Sequence, residues 1–204
     1  MDIFIYLFAA LFSVLNPIGT VPIFVGLTQG YSASERSKTS LITSINVFVI
    51  LLISFFVGQY VLSFFGITIT ALRIAGGIII ASSGFSLLNG NFSKNKGINK
   101  KVQKEVETRQ NIALTPLAMP MLAGPGSISL LITYYQELTE SNASITTSEI
   151  LFSCFAILAV AILIYLILRS AHYLAKILGS SGIVAISRII GFLTIAIGIQ
   201  YIIS

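Results

Sequence analysis

Six long apolar stretches restrict the fold of this chain more than any other feature. A helix needs about 20 apolar residues to cross about 30 Å of hydrocarbon, and each stretch meets that requirement with few or no charges. Of the 204 residues, 55% are hydrophobic and 9% are charged, which excludes an ordinary soluble domain. We therefore predict an all-α polytopic membrane protein with six transmembrane helices, at residues 3–27, 40–64, 67–88, 112–134, 149–168 and 182–203.

Two of these stretches contain helix-breaking residues near their middle. The first carries Asn16-Pro17-Ile18-Gly19-Thr20, and the fourth carries Gly124-Pro125-Gly126-Ser127. Non-helical backbone at membrane depth persists only where it is buried in protein or lines a wet cavity. Interrupted segments in matching positions of two halves are typical of the substrate site of a secondary transporter. We predict that helices one and four are broken at mid-membrane and that the breaks form the site.

The distribution of basic residues predicts the topology. Ten of the twelve basic residues lie in the connections 28–38, 89–110 and 169–179, and the other connections carry none. By the positive-inside rule these three connections face the cytoplasm, so both termini face out. The first stretch follows Asp2 instead of a basic segment and shows no clear cleavage site, so we expect it to remain as a span.

An internal repeat divides the chain into two halves. Residues 60–66 match 173–179, with Tyr at the first position and Gly at the last, and residues 73–76 match 188–191. Chance similarity between apolar segments is the alternative explanation. Because each half holds three spans, the second half is expected to be inverted relative to the first. We predict a first three-helix repeat at 1–90, a basic cytoplasmic loop at 91–110 and a second, inverted three-helix repeat at 111–204.

The residues at the first break have two interpretations each. An Asn before Pro is pushed out of the α region, and the amide of Asn16 either bonds the freed backbone or faces the substrate. Pro17 and Gly19 shape the break, since Pro fixes φ and Gly permits close approach. Thr20 either caps the second half-helix or binds a ligand.

The second break is built from Gly124, Pro125, Gly126 and Ser127, with Ser127 placed like Thr20. Exposed N–H groups and hydroxyls with no carboxylate nearby favour an anionic group, such as the carboxylate of an amino acid. The alternative is a structural kink that neighbouring helices satisfy. We include these four residues, with those of the first break, in the predicted substrate site.

Arg73 and Arg188 are the charged residues that lie well inside spans. Such residues usually face the bundle interior or a water-filled cavity, where the pair would act as gates or guide a carboxylate. Each lies only a few residues from the end of its span, so snorkelling to the interface is the alternative. No Asp or Glu lies deep in a span, which argues against a carboxylate proton carrier and leaves a coupling cation open.

The two broken segments carry the resemblance to a known family. Leu15-Asn16-Pro17-Ile18-Gly19 with Thr28, and the segment 116–129, are similar to the signatures of the MarC family of bacterial and archaeal six-span membrane proteins, relatives of the LysE-type exporters. The resemblance implies a multi-pass protein of a prokaryotic inner membrane that transports small neutral amino acids such as glycine and alanine. A passive exporter or channel for small metabolites is the alternative.

Other classes of function lack their residues. The enzyme motifs HExxH and GxSxG and paired in-membrane aspartates are absent, so we do not expect an enzyme. We also expect no cofactor, no metal and no nucleic-acid partner, because the positive charge follows the topology. The expected partners are the lipid bilayer and a small zwitterionic solute, and the sequence leaves a homo-oligomer open.

Overall fold

The computed structural model describes residues 2–28, 30–89, 112–141 and 146–203, and these residues are almost entirely helical. Four helices are long and apolar enough to cross a membrane, and α1 with α2 makes a fifth candidate, bent by 40° at a short break. The prediction of an all-helical polytopic membrane protein is therefore confirmed. The helices are α1 Asp2–Leu15, α2 Pro17–Leu27, α3 Ala33–Phe65, α4 Ile69–Leu88, α5 Ala113–Leu122, α6 Pro125–Ser141, α7 Thr147–Arg169 and α8 Ala171–Ile203.

Local sequence signals set several helix ends. α3 and α7 each begin with a capping box, in which Ser32 pairs with Glu35 and Thr146 pairs with Glu149. α3 ends at Gly66, which has φ 65° and so takes the left-handed conformation that favours glycine. A short turn at Gly66 therefore separates α3 from α4.

Two predicted connections are partly helical. α6 continues to Ser141, so Glu137, predicted to lie in a connection, is on a helix. α8 already begins at Ala171 and bends at Gly179, where φ is 62° and ψ is 175°. The predicted boundaries were wrong here because hydropathy marks where the chain leaves hydrocarbon, whereas a helix continues into polar surroundings wherever its residues permit it.

The long helices pack in antiparallel pairs. On α3 and α7, Ser37 lies beside Tyr165, and further along these two helices Phe48 and Leu158 line one groove. The residue numbers rise along α3 and fall along α7, so the two helices are antiparallel. On α4 and α8, a Cβ added to Gly84 would lie 2.6 Å from the carbonyl oxygen of Gly191. Only glycine permits backbones to approach so closely.

The bundle has two chemically different ends. At the N-terminal end, Tyr6 packs on Tyr134 with ring centroids 6.2 Å apart, and Arg73 pairs with Glu137. At the opposite end, which we call the basic end, Arg36 lies near His172. The connections 28–38 and 169–179, both predicted to be cytoplasmic, therefore lie at the same end of the bundle. The predicted basic loop at 91–110 lies outside the described residues. Which end faces the cytoplasm stays a prediction.

Candidate functional site

The first break is centred on Asn16, which is buried with 1% of its surface exposed. Its φ of 43° and ψ of 64° are left-handed, and among the described residues no other side-chain-bearing residue has a positive φ. Asn enters this region more readily than most residues, because its short polar side chain bonds locally. Here its Oδ1 accepts the N–H of Gly19 at 3.2 Å, which caps α2.

The amide nitrogen of Asn16 remains without a partner. Nδ2 is buried and makes no hydrogen bond within the described residues. It lies directly over Gly19, where an added Cβ would overlap Nδ2 and approach Cγ to 3.0 Å. Oδ1 of Asn16 therefore bonds the freed backbone, which is the first of its two interpretations. Whether Nδ2 faces a substrate stays a prediction.

The hydroxyl groups at both breaks bond to the backbone. Thr20 Oγ1 donates to the carbonyl of Asn16 at 3.3 Å, and Ser127 Oγ donates to the carbonyl of Gly124 at 2.9 Å. Each acceptor is the carbonyl that precedes the proline of its own break. Thr20 reaches a carbonyl four residues back and Ser127 one three residues back, so the two places are similar and differ by one residue. Their binding of a ligand stays a prediction.

The second break follows a π-helix. In α5 the bonds span five residues, as between the N–H of Leu117 and the carbonyl of Ile112 at 3.3 Å. The chain then turns at Ala123 and Gly124, and α6 starts at Pro125. Pro125 is exposed and Gly124 half-buried.

The structure brings the two breaks into contact. Gly126 is buried, and a Cβ added to it would lie 3.5 Å from Val14 and 3.0 Å from Ile80. α1 also packs on α6, and α2 packs on α5. The last turn of α1, next to Asn16, therefore lies against the first turn of α6.

One pair of residues beside the site was not identified from the sequence. The hydroxyls of Ser13 and Thr194 lie 3.0 Å apart, and Thr194 also donates to the carbonyl of Ser13 at 3.1 Å. Both residues are buried. The signal available in the sequence was the hydroxyl of Thr194, in the middle of the last apolar stretch. Its contact with Ser13 places α8 against the end of α1.

The two intramembrane arginines have different surroundings. Arg73 Nη2 donates to Glu137 Oε1 at 2.7 Å, which links α4 to α6 at the N-terminal end. Arg188 is exposed on α8. The structure does not bring the two together, and their predicted role as gates or carboxylate guides stays a prediction.

The site itself carries no formal charge. Residues 3–27 and 112–134 contain no Asp, Glu, Lys or Arg, so the polar groups available there are backbone, amide and hydroxyl. Within the part of the chain that the structure describes, no group of three His, Cys, Asp or Glu side chains is placed to hold a metal ion. The chemistry that this arrangement permits is binding by neutral dipoles.

Comparison with known proteins gives consistent matches. The model of the MarC family of integral membrane proteins matches residues 1–204. The chain is 42% identical over 203 residues to a membrane protein of Buchnera aphidicola subsp. Schizaphis graminum, covering 98% of this chain and 90% of that protein. It is 36% identical to the membrane protein YhcE of Escherichia coli (strain K12), covering 97% and 88%. It is 38% identical to the inner membrane protein MarC of Escherichia coli O1:K1, covering 93% and 87%. No solved structure matches the chain.

Proposed function

Because this chain belongs to the MarC family of integral membrane proteins, we propose that it is a secondary transporter of small neutral amino acids, such as glycine and alanine, in a prokaryotic inner membrane with both termini outside. The observation that carries the proposal is the buried, unpartnered Nδ2 of Asn16 at the start of α2, beside the second break.

The first break offers donors and acceptors on opposite sides. Among the N–H groups of the first turn of α2, Pro17 has none and that of Gly19 is capped, which leaves Ile18. Together with Asn16 Nδ2 and the positive end of the helix dipole, it suits a carboxylate. The last carbonyls of α1 have no intrahelical donor and suit an ammonium group. A zwitterion matches both halves of the break.

The tight packing favours a small solute. Gly126 leaves little space toward Val14 and Ile80, and Gly19 is covered by the amide of Asn16. A guest that replaces these contacts has room for only a small side chain. Glycine and alanine meet that condition.

The helix pairs support two inverted halves and six spans. α1 packs on α7 as its proposed equivalent α5 packs on α3, and α2 packs on α8 as α6 packs on α4. The equivalent helices α3 and α7 run in opposite directions, as do α4 and α8. Equivalent helices of opposite direction are expected of an inverted repeat, and such repeats commonly work by alternating access around a central site.

Counterflow of labelled glycine and alanine into liposomes tests the proposal. Two variants remove Nδ2. Asn16→Gly keeps the left-handed conformation but loses the whole side chain, including the Oδ1 that caps Gly19, whereas Asn16→Asp keeps an oxygen for the Gly19 N–H and replaces only the donor. A hydrogen bond to a charged group contributes about 1.5–3 kcal/mol, so half-saturation is expected to rise roughly tenfold to a hundredfold. Ser54→Ala, which removes a buried hydroxyl bonded to Ile50 in α3, is the matched control and keeps exchange.

Each alternative gives a distinct result. Saturable exchange that the Asn16 variants leave unchanged overturns the site while keeping the function. Flux that does not saturate and shows no counterflow favours the channel. Folded, inserted protein that exchanges no neutral amino acid overturns the substrate class.

A further inference from the structure

The basic end carries positive charge that its acidic residues do not balance. Five cationic residues of the described chain lie there, against one acidic residue, Glu35, whose carboxylate caps α3 by accepting the Ser32 N–H at 2.7 Å. The buried Nε of Arg36 has no hydrogen-bond partner within the described residues. Four of the five cationic residues lie on α3, on α7 and at the start of α8, and the fifth lies on the part of α8 that packs on the end of α4; they are Arg36, Lys38, Arg169, Lys176 and Arg188.

Arg169 is held at the boundary between α3 and α7. Its Nη1 donates to Tyr165 Oη at 2.9 Å, and its guanidinium carbon lies 5.7 Å from the centre of the Tyr165 ring. Ser37 of α3 lies beside the same hydroxyl. Arg169 uses one of its five N–H donors in this contact, and it is exposed. Most of its donors are thus free for an anion at this boundary.

An apolar groove of about 170 Å³ runs from Tyr165 along the boundary between α3 and α7. Residues spaced three and four apart share one face of a helix, and on α7 the spacing of Ile162, Tyr165 and Arg169 puts the basic group at the end of the groove. Several lining residues are about half exposed, as expected of a surface that faces hydrocarbon. The groove is lined by Leu41, Ser44, Ile45, Phe48, Leu158, Ala161, Ile162 and Tyr165.

We infer that an anionic phospholipid binds between α3 and α7 at the basic end. Its phosphate lies between Arg36 and Arg169, and one acyl chain enters the groove below Tyr165. Basic pockets between transmembrane helices bind anionic headgroups in this way. A zwitterionic lipid fits less well, because its ammonium group brings a further positive charge to the cluster.

Lipid retention by the purified protein tests the inference. The protein is exchanged into detergent with phosphatidylglycerol or with phosphatidylcholine of the same chains, and bound lipid is counted by native mass spectrometry. The variants Arg36→Gln and Arg169→Gln each remove one basic side chain. Each is expected to weaken phosphatidylglycerol retention about fivefold. The control Arg188→Gln loses the same charge from an exposed position on α8 and is expected to retain lipid as the unaltered protein does.

Three further measurements separate the effects of charge, groove and fold on lipid retention. Arg169→Lys keeps the charge and is expected to keep most retention, provided all variants show the same helical content and a single size-exclusion peak. Inorganic phosphate in excess is expected to leave the lipid bound, because it does not occupy the groove, whereas Ile162→Trp fills the groove and lowers retention. Equal retention of both lipids, equal loss in Arg188→Gln, or displacement by inorganic phosphate overturns the inference. This site is independent of the proposed transport site.

Discussion

The substitution Gly19→Ala tests the geometry of the first break directly. A Cβ at position 19 would overlap Nδ2 of Asn16 and lie 3.2 Å from its Oδ1. The backbone at Gly19 is not in the left-handed region, so the methyl group strains nothing except the Asn16 side chain, which must leave. The Gly19 N–H then loses its cap, which costs about 1 kcal/mol, and a buried unpaired donor raises the cost toward roughly 3 kcal/mol.

The same substitution is expected to have the opposite sign when Asn16 lacks a side chain. In Asn16→Gly there is nothing for the new Cβ to displace, and alanine stabilises a helix by about 0.5–1 kcal/mol relative to glycine. The double-mutant cycle should therefore show a coupling of about 2 kcal/mol or more between the two positions, well above the error for independent sites.

Unfolding of the purified protein in mixed micelles, followed by far-ultraviolet circular dichroism as dodecyl sulfate increases, measures the four free energies of the cycle. Counterflow of glycine gives a second measurement, because Gly19→Ala should raise the half-saturation concentration of exchange as Asn16→Gly does. An equal change in unfolding free energy on adding the methyl group in both backgrounds would refute the reasoning, since it would mean that the amide of Asn16 does not cover Gly19.

Three further predictions concern other parts of the bundle. Gly84→Ala should lower the free energy of unfolding by about 1–3 kcal/mol, because its Cβ would meet backbone. Arg73→Gln should cost less than about 1 kcal/mol, since the pair with Glu137 is partly exposed and screened, and a double-mutant cycle measures it. Burial first, then the charge of Arg36, lowers the pKa of His172 below its ordinary value of 6.5. The unfolded chain therefore takes up a proton first, and the free energy of unfolding, measured against pH, should fall as pH drops below 6.5 and then level off.

Matched variants define the controls. Gly26 has open space around its Cβ position, so a loss of stability in Gly26→Ala as large as that in Gly84→Ala would contradict the packing argument. His172→Gln should remove the slope with pH, and an unchanged slope would assign it to other groups. A coupling near zero between Arg73 and Glu137 would show that their contact contributes nothing to stability.

The two breaks were predictable because proline and glycine act on their own backbone. Pro17 and Pro125 mark the starts of α2 and α6, as the sequence predicted. The sequence could not predict that Oδ1 of Asn16 bonds the backbone while Nδ2 has no partner among the described residues, because this depends on which neighbours cover each atom of the amide. The π-helix had an unused signal: Pro116 and Pro120 lack the N–H groups that regular α-helical bonding requires.

The different fates of the two arginines follow from helical phase. Arg73 is four and seven residues from Gly77 and Ile80, which are buried, so it lies on the inward face of α4. Arg188 is four residues from Phe192, which is exposed, and so points outward. Glycine spacing does not separate the two, because Gly76 and Gly191 follow their arginines at the same distance and both are buried. The partner of Arg73 did not follow from it, because Glu137 is 64 residues away in the chain and hydropathy placed it outside the helix.

The glycine contacts between α4 and α8 also limit how these two helices can move relative to each other. A Cβ added to Gly198 would lie 2.6 Å from the carbonyl of Gly77, as one added to Gly84 would from that of Gly191. Each carbonyl thus packs against a glycine of the facing helix, and sliding along the helix axes would move it against a side chain. Rotation about the line of contact keeps these carbonyl–glycine contacts. The α4–α8 contact therefore permits rotation of these two helices against each other more readily than sliding.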